Sequence, residues 1–424
     1  MSKYFLYIIL FLHLSNCGFN GKNTEAKINT KILFEKSKPI TQELNPNLSI
    51  EISKITKGEP FLSSTSNNSG NPSFISNFEN ISSFKFSSID KFKFYQPEIL
   101  FTKGNDLVFF NGKGDIFKVS NNLKKIWKVN HYTKKEKKLK PILYFAQSKN
   151  NILIFDNLSK IYSVKLNTGE LNWTKESKVG FNSNLKVFRN IVVAVDFDNI
   201  VRAFSVNDGR ELWNFATENP FIKSQKKLSI AIKGEVLFFI NSIGDVTALN
   251  INDGSLVWQT PTQNTLIFQD AFTLENSDII FANDTIYFSN NRNEFFAIDA
   301  RSGVLKYKQT INSSLRPNVI EDYVFSISKE GYLFVIDDKT GNILRISNIL
   351  KNIKNKKKLI EPTGFILAQN KIYISLNNGQ LIKINSLSGT EESTIKIGKK
   401  RINRPYVFNG SMFILKSNAI IKVE

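Results

Sequence analysis

The chain has 424 residues, 41% of them hydrophobic and 36 of them Phe, which is enough to bury a large core. Its only histidines are His13 and His131 and its only cysteine is Cys17, so His-based metal sites, Ser-His-Asp triads and intramolecular disulfides are excluded. A formal charge of +20 points to an anionic partner. Lys, Asn, Ile and Phe are abundant along the whole length, however, and that bias accounts for the charge equally well.

Lys3 and the apolar run from Tyr4 to Leu14 form a basic start and a hydrophobic segment too short to span a bilayer, as in a secretory signal over residues 1–16. Leu14-Ser15-Asn16-Cys17 resembles the lipobox of bacterial lipoproteins, whose Cys is acylated, although Asn16 stands where that pattern prefers a small residue. Acylation of Cys17 would anchor the protein at a membrane, and the absence of an aspartate after it implies outer-membrane sorting. The alternative is an ordinary cleaved signal with an incidental Cys. Residues 17–78 are polar and rich in Ser, Asn and Lys, and read as a lipidated N-terminus and disordered tether.

From residue 79 to 424 the period-two alternation of strands takes over. A phrase recurs in it: an apolar strand, a tight turn ending in Gly, and an aromatic four positions later. The clearest copies are Gly169 with Trp173, Gly209 with Trp213, and Gly254 with Trp258. Weaker ones turn at Gly303 with Tyr307, at Gly341 and at Gly389, and an eroded one puts Leu123 ahead of Trp127. Successive turn glycines lie 40, 45, 49, 38 and 48 residues apart, the length of one four-stranded propeller blade. Seven repeats end near Ile397, and three further strands, Arg404–Phe408, Met412–Lys416 and Ala419–Val423, finish the chain. The missing fourth strand is assigned to Ile81–Ser87, which closes the ring and removes an edge. The expected fold is therefore all-β: an eight-bladed β-propeller of four-stranded antiparallel blades, its last blade completed from the N-terminal side. The Gly turns require a positive φ, and each indole is expected between neighbouring blades with its N–H on a backbone carbonyl.

Ala203…Gly209…Trp213, Ala248…Gly254…Trp258 and Ala297-Ile298-Asp299…Gly303 resemble the quinoprotein-type (PQQ-like) propeller repeat over about residues 81–424. Two families carry it. Quinoprotein dehydrogenases use PQQ with calcium and funnel carboxylates, and this chain has no second Cys for the vicinal disulfide of their alcohol-oxidising members. Asp106, Asp115 and Asp245 fall in turns or strand edges and nothing marks them as a calcium cluster. Gly112-Lys113-Gly114 is a hairpin rather than a phosphate loop.

The second family is BamB, a lipoprotein subunit of the outer-membrane β-barrel assembly (BAM) machine. This chain resembles it in its signal, tether, seven Gly-turn repeats and terminal blade. The resemblance implies a protein without catalytic activity or cofactor, on the periplasmic face of the outer membrane. Its partners would be the POTRA domains of BamA and other BAM subunits. The family's contact loop follows the fourth repeat. Here that link contains Leu266, Ile267, Phe268, Asp270 and Phe272, more apolar than a solvated loop needs; the same side chains could instead fold under the loop. Lysines gather at Lys134, Lys135, Lys137 and Lys138, at Lys223 to Lys227, at Lys356, Lys357 and Lys358, and at Lys399 to Arg401. All these stretches join one blade to the next on a single face, which is expected to be basic and able to draw in an acidic protein or anionic headgroups. No aromatic platform interleaves these charges, so nucleic acid is not an expected partner. The alternatives are a PQQ-dependent enzyme and a lipoprotein that binds anionic ligands through its basic face.

Overall fold

A computed structural model describes residues 38–52, 68, 72, 74, 76, 78–89, 97–218, 226–262, 274–353 and 359–424, all within one compact unit. Its strands form eight four-stranded antiparallel sheets, seven of them pairing consecutive strands in order from the inside outwards. Blade 1 begins at Leu100–Phe101, blade 4 at Ser229–Lys233 and blade 7 at Pro362–Ala368. Blade 8 is Ile402–Phe408, Ser411–Lys416 and Ala419–Val423, with Ile81–Lys85 as its outer strand. That strand pairs Ile81 with Val423 and Lys85 with Ala419, as the strand count requires. Phe101 of blade 1 then stacks on Phe408 of blade 8, ring centroids 4.7 Å apart, which closes the ring.

The core lies between the blades. The inner three strands of a blade are buried on both faces, as in Val236–Ile240 and Thr285–Asn290. Outer strands are more exposed; in Leu256–Thr260 the one buried residue is Trp258, whereas in Ile343–Asn348 of blade 6 Arg345, Ile346 and Ser347 are all buried. Each anchor's N–H donates to a carbonyl of the next blade, three residues ahead of that blade's turn glycine. Trp127 reaches Leu166, Trp173 reaches Val206, Trp213 reaches Ile251 and Trp258 reaches Ala300, at 3.0–3.2 Å. The expected seat of the indoles is therefore the observed one.

A second reason for the glycines emerges from this packing. A Cβ on Gly209 would stand 2.4 Å from the Trp173 ring, one on Gly254 2.5 Å from Trp213, and one on Gly341 2.4 Å from Tyr307. Each turn is thus the floor on which the preceding blade's aromatic lies. In blade 6 the anchor position, four after Gly341, is Arg345. It is fully buried and donates to Ser386 O at 2.7 Å, the carbonyl an indole would take. Its other amino group reaches Leu387 O and, at 2.8 Å, Leu48 O.

Leu48 belongs to the stretch expected to be a disordered tether, and for residues 38–52 that expectation is corrected. Leu44 pairs with Ile346 on the outer strand of blade 6, Tyr332 Oη donates to Thr41 O, and Ile50 and Ile52 are buried against blades 6 and 7. Phe74 and Phe78 pack edge-on against Tyr373. Asn68 is buried among the innermost strands, its Nδ2 donating to Ile230 O and Ile279 O at 3.0 and 2.8 Å, while Lys186 Nζ donates to its Oδ1 at 2.8 Å. Polarity gave the wrong impression here because a few well-spaced apolar residues and backbone groups suffice to hold a strap on a preformed scaffold.

Candidate functional site

The links between blades converge on one face, and at its centre the innermost strands begin. Four of those beginnings are marked by a charge: Glu98 in blade 1, Lys227 in blade 4, Asp278 in blade 5 and Arg316 in blade 6. Lys227 Nζ lies 2.7 Å from Glu98 Oε1 and 3.8 Å from Asp278 Oδ1. Arg316 donates from Nε to Asp278 Oδ2 at 2.9 Å and from Nη2 to Glu98 Oε1 at 3.1 Å. Residues more than two hundred positions apart are thereby tied across the ring. Burial alone would raise both carboxyl pKa values, but Lys227 and Arg316 hold Glu98 below its usual value, and Arg316 and Lys227 hold Asp278 far below the carboxylate range.

Arg404 of blade 8 and Lys226 border the same opening, with Thr363 and Gly364 of blade 7. Burial, reinforced by the neighbouring Arg316, pushes the Arg404 guanidinium down to about 9. Further into the ring, burial pushes the Lys186 ammonium down to about 7, against the pull of Glu98. The centre is consequently rich in charge and ion-paired. A calcium ion needs six to eight oxygen ligands, whereas Glu98 and Asp278 already accept from cations. No group of three or more His, Cys, Asp or Glu suited to a metal occurs among the described residues. The donor set at the centre does not fit the calcium-quinone pair of the dehydrogenases. Asp106 pairs with Lys118 at 2.9 Å and Asp115 with Lys128 at 3.0 Å, which leaves both in local structural roles.

Of the positions singled out from sequence, Lys134, Lys135, Lys137 and Lys138 form a short helix, α1 (Lys134–Lys138), in the link between blades 1 and 2. Thr133 and Glu136 cap it reciprocally, and Lys134, Lys135 and Lys138 are exposed while Lys137 is half-buried. Lys227, the last residue of a supposedly solvated basic run, is instead buried in the central ion pairs. Cys17, Leu266, Ile267, Phe268, Asp270, Phe272, Lys356, Lys357 and Lys358 lie outside the described residues. Both ends of the link carrying Leu266 to Phe272 are fastened. Thr262 Oγ1 donates to Gly244 O at 2.6 Å on one side, and Asp278 enters the central cluster on the other. The central charges were overlooked because each is an ordinary loop residue in sequence. The available signal was a charge just ahead of the first strand in blades 1, 4, 5 and 6.

No curated protein matches the sequence. Among solved structures, BamB from Moraxella catarrhalis is similar over 81% of this chain and 97% of its own, at 14% identity and a TM-score of 0.63. A europium-containing methanol dehydrogenase covers 81% of this chain and 86% of its own at 9% identity and a TM-score of 0.62. The computationally designed Ika8 protein covers 80% and 99% at 12% identity and a TM-score of 0.57. At such identities these likenesses show the eight-bladed fold alone. The family profile described as outer membrane protein assembly factor BamB matches residues 112–347, which is more than half of the sequence. On that match and the repeat architecture, the chain belongs to the BamB family of PQQ-like repeat propellers.

Proposed function

We propose that this protein is a non-enzymatic scaffold subunit of the outer-membrane β-barrel assembly machine, binding the periplasmic domains of BamA. The observation that carries the reading is the family match over residues 112–347. Two structural features support it. The link after blade 4 is fastened at both ends to rigid elements, which suits a loop that presents Leu266, Phe268 and Phe272 to a partner. The central carboxylates are engaged by Lys227 and Arg316, an arrangement suited to holding blades together rather than to bond chemistry. Acylation at Cys17 would place the propeller on the periplasmic side of the outer membrane.

The test is a pull-down of the mature chain against the BamA periplasmic domains of the same organism, beside a Leu266→Asp, Phe268→Asp variant. Binding that the variant loses supports the scaffold reading and places the contact after blade 4. Absence of binding by the unaltered protein overturns it. Adding PQQ and calcium with an alcohol and an electron acceptor is expected to produce no turnover; turnover would favour the dehydrogenase-like alternative.

A further inference from the structure

We propose that the half of the interblade face built by α1 and by the links around blades 7, 8 and 1 docks on the surface of an anionic membrane. The inference does not rest on the BamA reading. It starts from how charge is distributed around the ring. The links expose Lys134, Lys135 and Lys138 between blades 1 and 2, Lys178 between blades 2 and 3, and Lys399 and Lys400 between blades 7 and 8. Among the described residues of the links, the exposed carboxylates are Glu218, between blades 3 and 4, and Glu275, between blades 4 and 5. In a ring of eight blades the junction of blades 4 and 5 lies across from that of blades 8 and 1. One half of the face is therefore cationic, and the exposed acids sit in the other half. A chain that is merely rich in Lys does not sort its charges in this way.

Local structure sharpens the basic half. Glu136, the one acid of α1, is turned towards the protein, accepting from the Thr133 amide at 2.6 Å and from Lys160 Nζ at 2.9 Å. Lys160 also donates to His131 O at 2.9 Å and lies over the Tyr132 ring, which ties the helix to blade 2. α1 is thus a fixed projection with three exposed ammonium groups and, at its end, Leu139 at 64% exposure. Leu359, in the link between blades 6 and 7, is 78% exposed. Blades 7, 8 and 1 separate these two leucines, so they do not make the continuous apolar centre that a protein interface needs. A lipid surface has no such requirement: single apolar side chains enter between headgroups whose phosphates meet the lysines.

The strap points the same way. Asn348 ends the outer strand of blade 6 at this face, and its amide donates to Glu43 Oε1 at 2.9 Å. Tyr332, which begins its strand at the same face, donates to Thr41 O at 2.6 Å. Leu48 O meets Arg345, farther along the outer strand from that face. Followed back from Leu48, the strap therefore climbs blade 6 towards the interblade face, beside the link that carries Leu359.

The experiment measures co-sedimentation of the mature chain, residues 17–424 kept unacylated by Cys17→Ser, with phosphatidylglycerol and with phosphatidylcholine vesicles. Binding to phosphatidylglycerol alone is expected, and is lost as salt rises from about 0.1 to about 0.5 M. Each lysine near an anionic surface is worth about fivefold, so Lys134→Gln, Lys135→Gln and Lys138→Gln together should weaken binding by at least about tenfold. Leu139→Ser should weaken it with unchanged salt dependence. Lys124→Gln, Lys149→Gln and Lys233→Gln together remove the same charge from exposed positions at the opposite face and should leave the affinity within about twofold. Circular dichroism checks that each variant is folded. Absence of binding to phosphatidylglycerol overturns the proposal. So does an equal loss in the two triple variants, which would trace the attraction to net charge alone. Binding of soluble polyglutamate as tightly as vesicles, unaffected by Leu139→Ser, would overturn it in favour of an acidic protein partner.

Discussion

Replacing Gly209 by Ala separates the two reasons for a glycine in these turns. Gly209 has φ +71°, and Gly410, in the hairpin between the first two strands of blade 8, has φ +74°. A Cβ on Gly410 would meet nothing within 4 Å, whereas one on Gly209 would stand 2.4 Å from the Trp173 ring. Both substitutions incur the left-handed cost of an alanine, about 1–2 kcal/mol. Only Gly209→Ala must also push the indole off its floor. That adds an overpacking term of about 1–3 kcal/mol. It also strains the 3.2 Å bond from Trp173 Nε1 to Val206 O, a bond worth about 0.5–1.5 kcal/mol. The expected difference between the two variants is therefore about 1.5–4.5 kcal/mol, measured as urea midpoints followed by circular dichroism and tryptophan emission. Trimming the ring in a Gly209→Ala, Trp173→Leu double variant should recover part of the loss, a coupling read from the double-mutant cycle. Equal costs for Gly209→Ala and Gly410→Ala, within about 0.5 kcal/mol, would refute the idea that the aromatic seat selects the glycine.

Arg345→Met removes the guanidinium donors to the carbonyls of Leu48, Ser386 and Leu387; with charged hydrogen bonds worth about 1.5–3 kcal/mol each, a loss of several kcal/mol is expected. Hydrogen exchange should show its first effect at Ile50, whose amide bonds to Leu387 O at 3.1 Å; unchanged protection there would argue against the clamp. Lys186 has its folded pKa lowered by burial from 10.5 to about 7, so the unfolded chain binds more protons between those values. Its contribution therefore makes stability rise with pH from about 7 to 10.5, and Lys186→Met should flatten that slope in urea titrations. A chain begun at residue 97 lacks Ile81–Lys85 and leaves the Ala419–Val423 edge open; concentration-dependent association in sedimentation is expected, and a monomer as stable as the parent would contradict the closure role.

Much of the architecture was legible in the primary structure, because its causes are local and repeat. Alternation marks the strands, Asn207-Asp208-Gly209 and its relatives mark the turns, and a fixed four-residue offset marks the anchors. Counting strands even assigned the closing partner to Ile81–Ser87, observed as Ile81–Lys85, since an eighth blade with three strands would leave an edge. Arg345 was missed as an anchor because a guanidinium does not look like an indole, although both present a donor to the same carbonyl. The strap was misread for a related reason. Composition reports what a segment would do alone, and Leu44, Ile50 and Asn68 are ordered by groups supplied from blades three hundred or more residues away in some cases, as with Leu44 and Ile346. The central cluster belongs wholly to tertiary structure: Glu98, Lys227, Asp278 and Arg316 become one ionic unit only when the ring brings the starts of four innermost strands together. A repeat's own residues determine each blade through near-neighbour sterics and hydrogen bonding, whereas the charge at the axis depends on the closure of all eight.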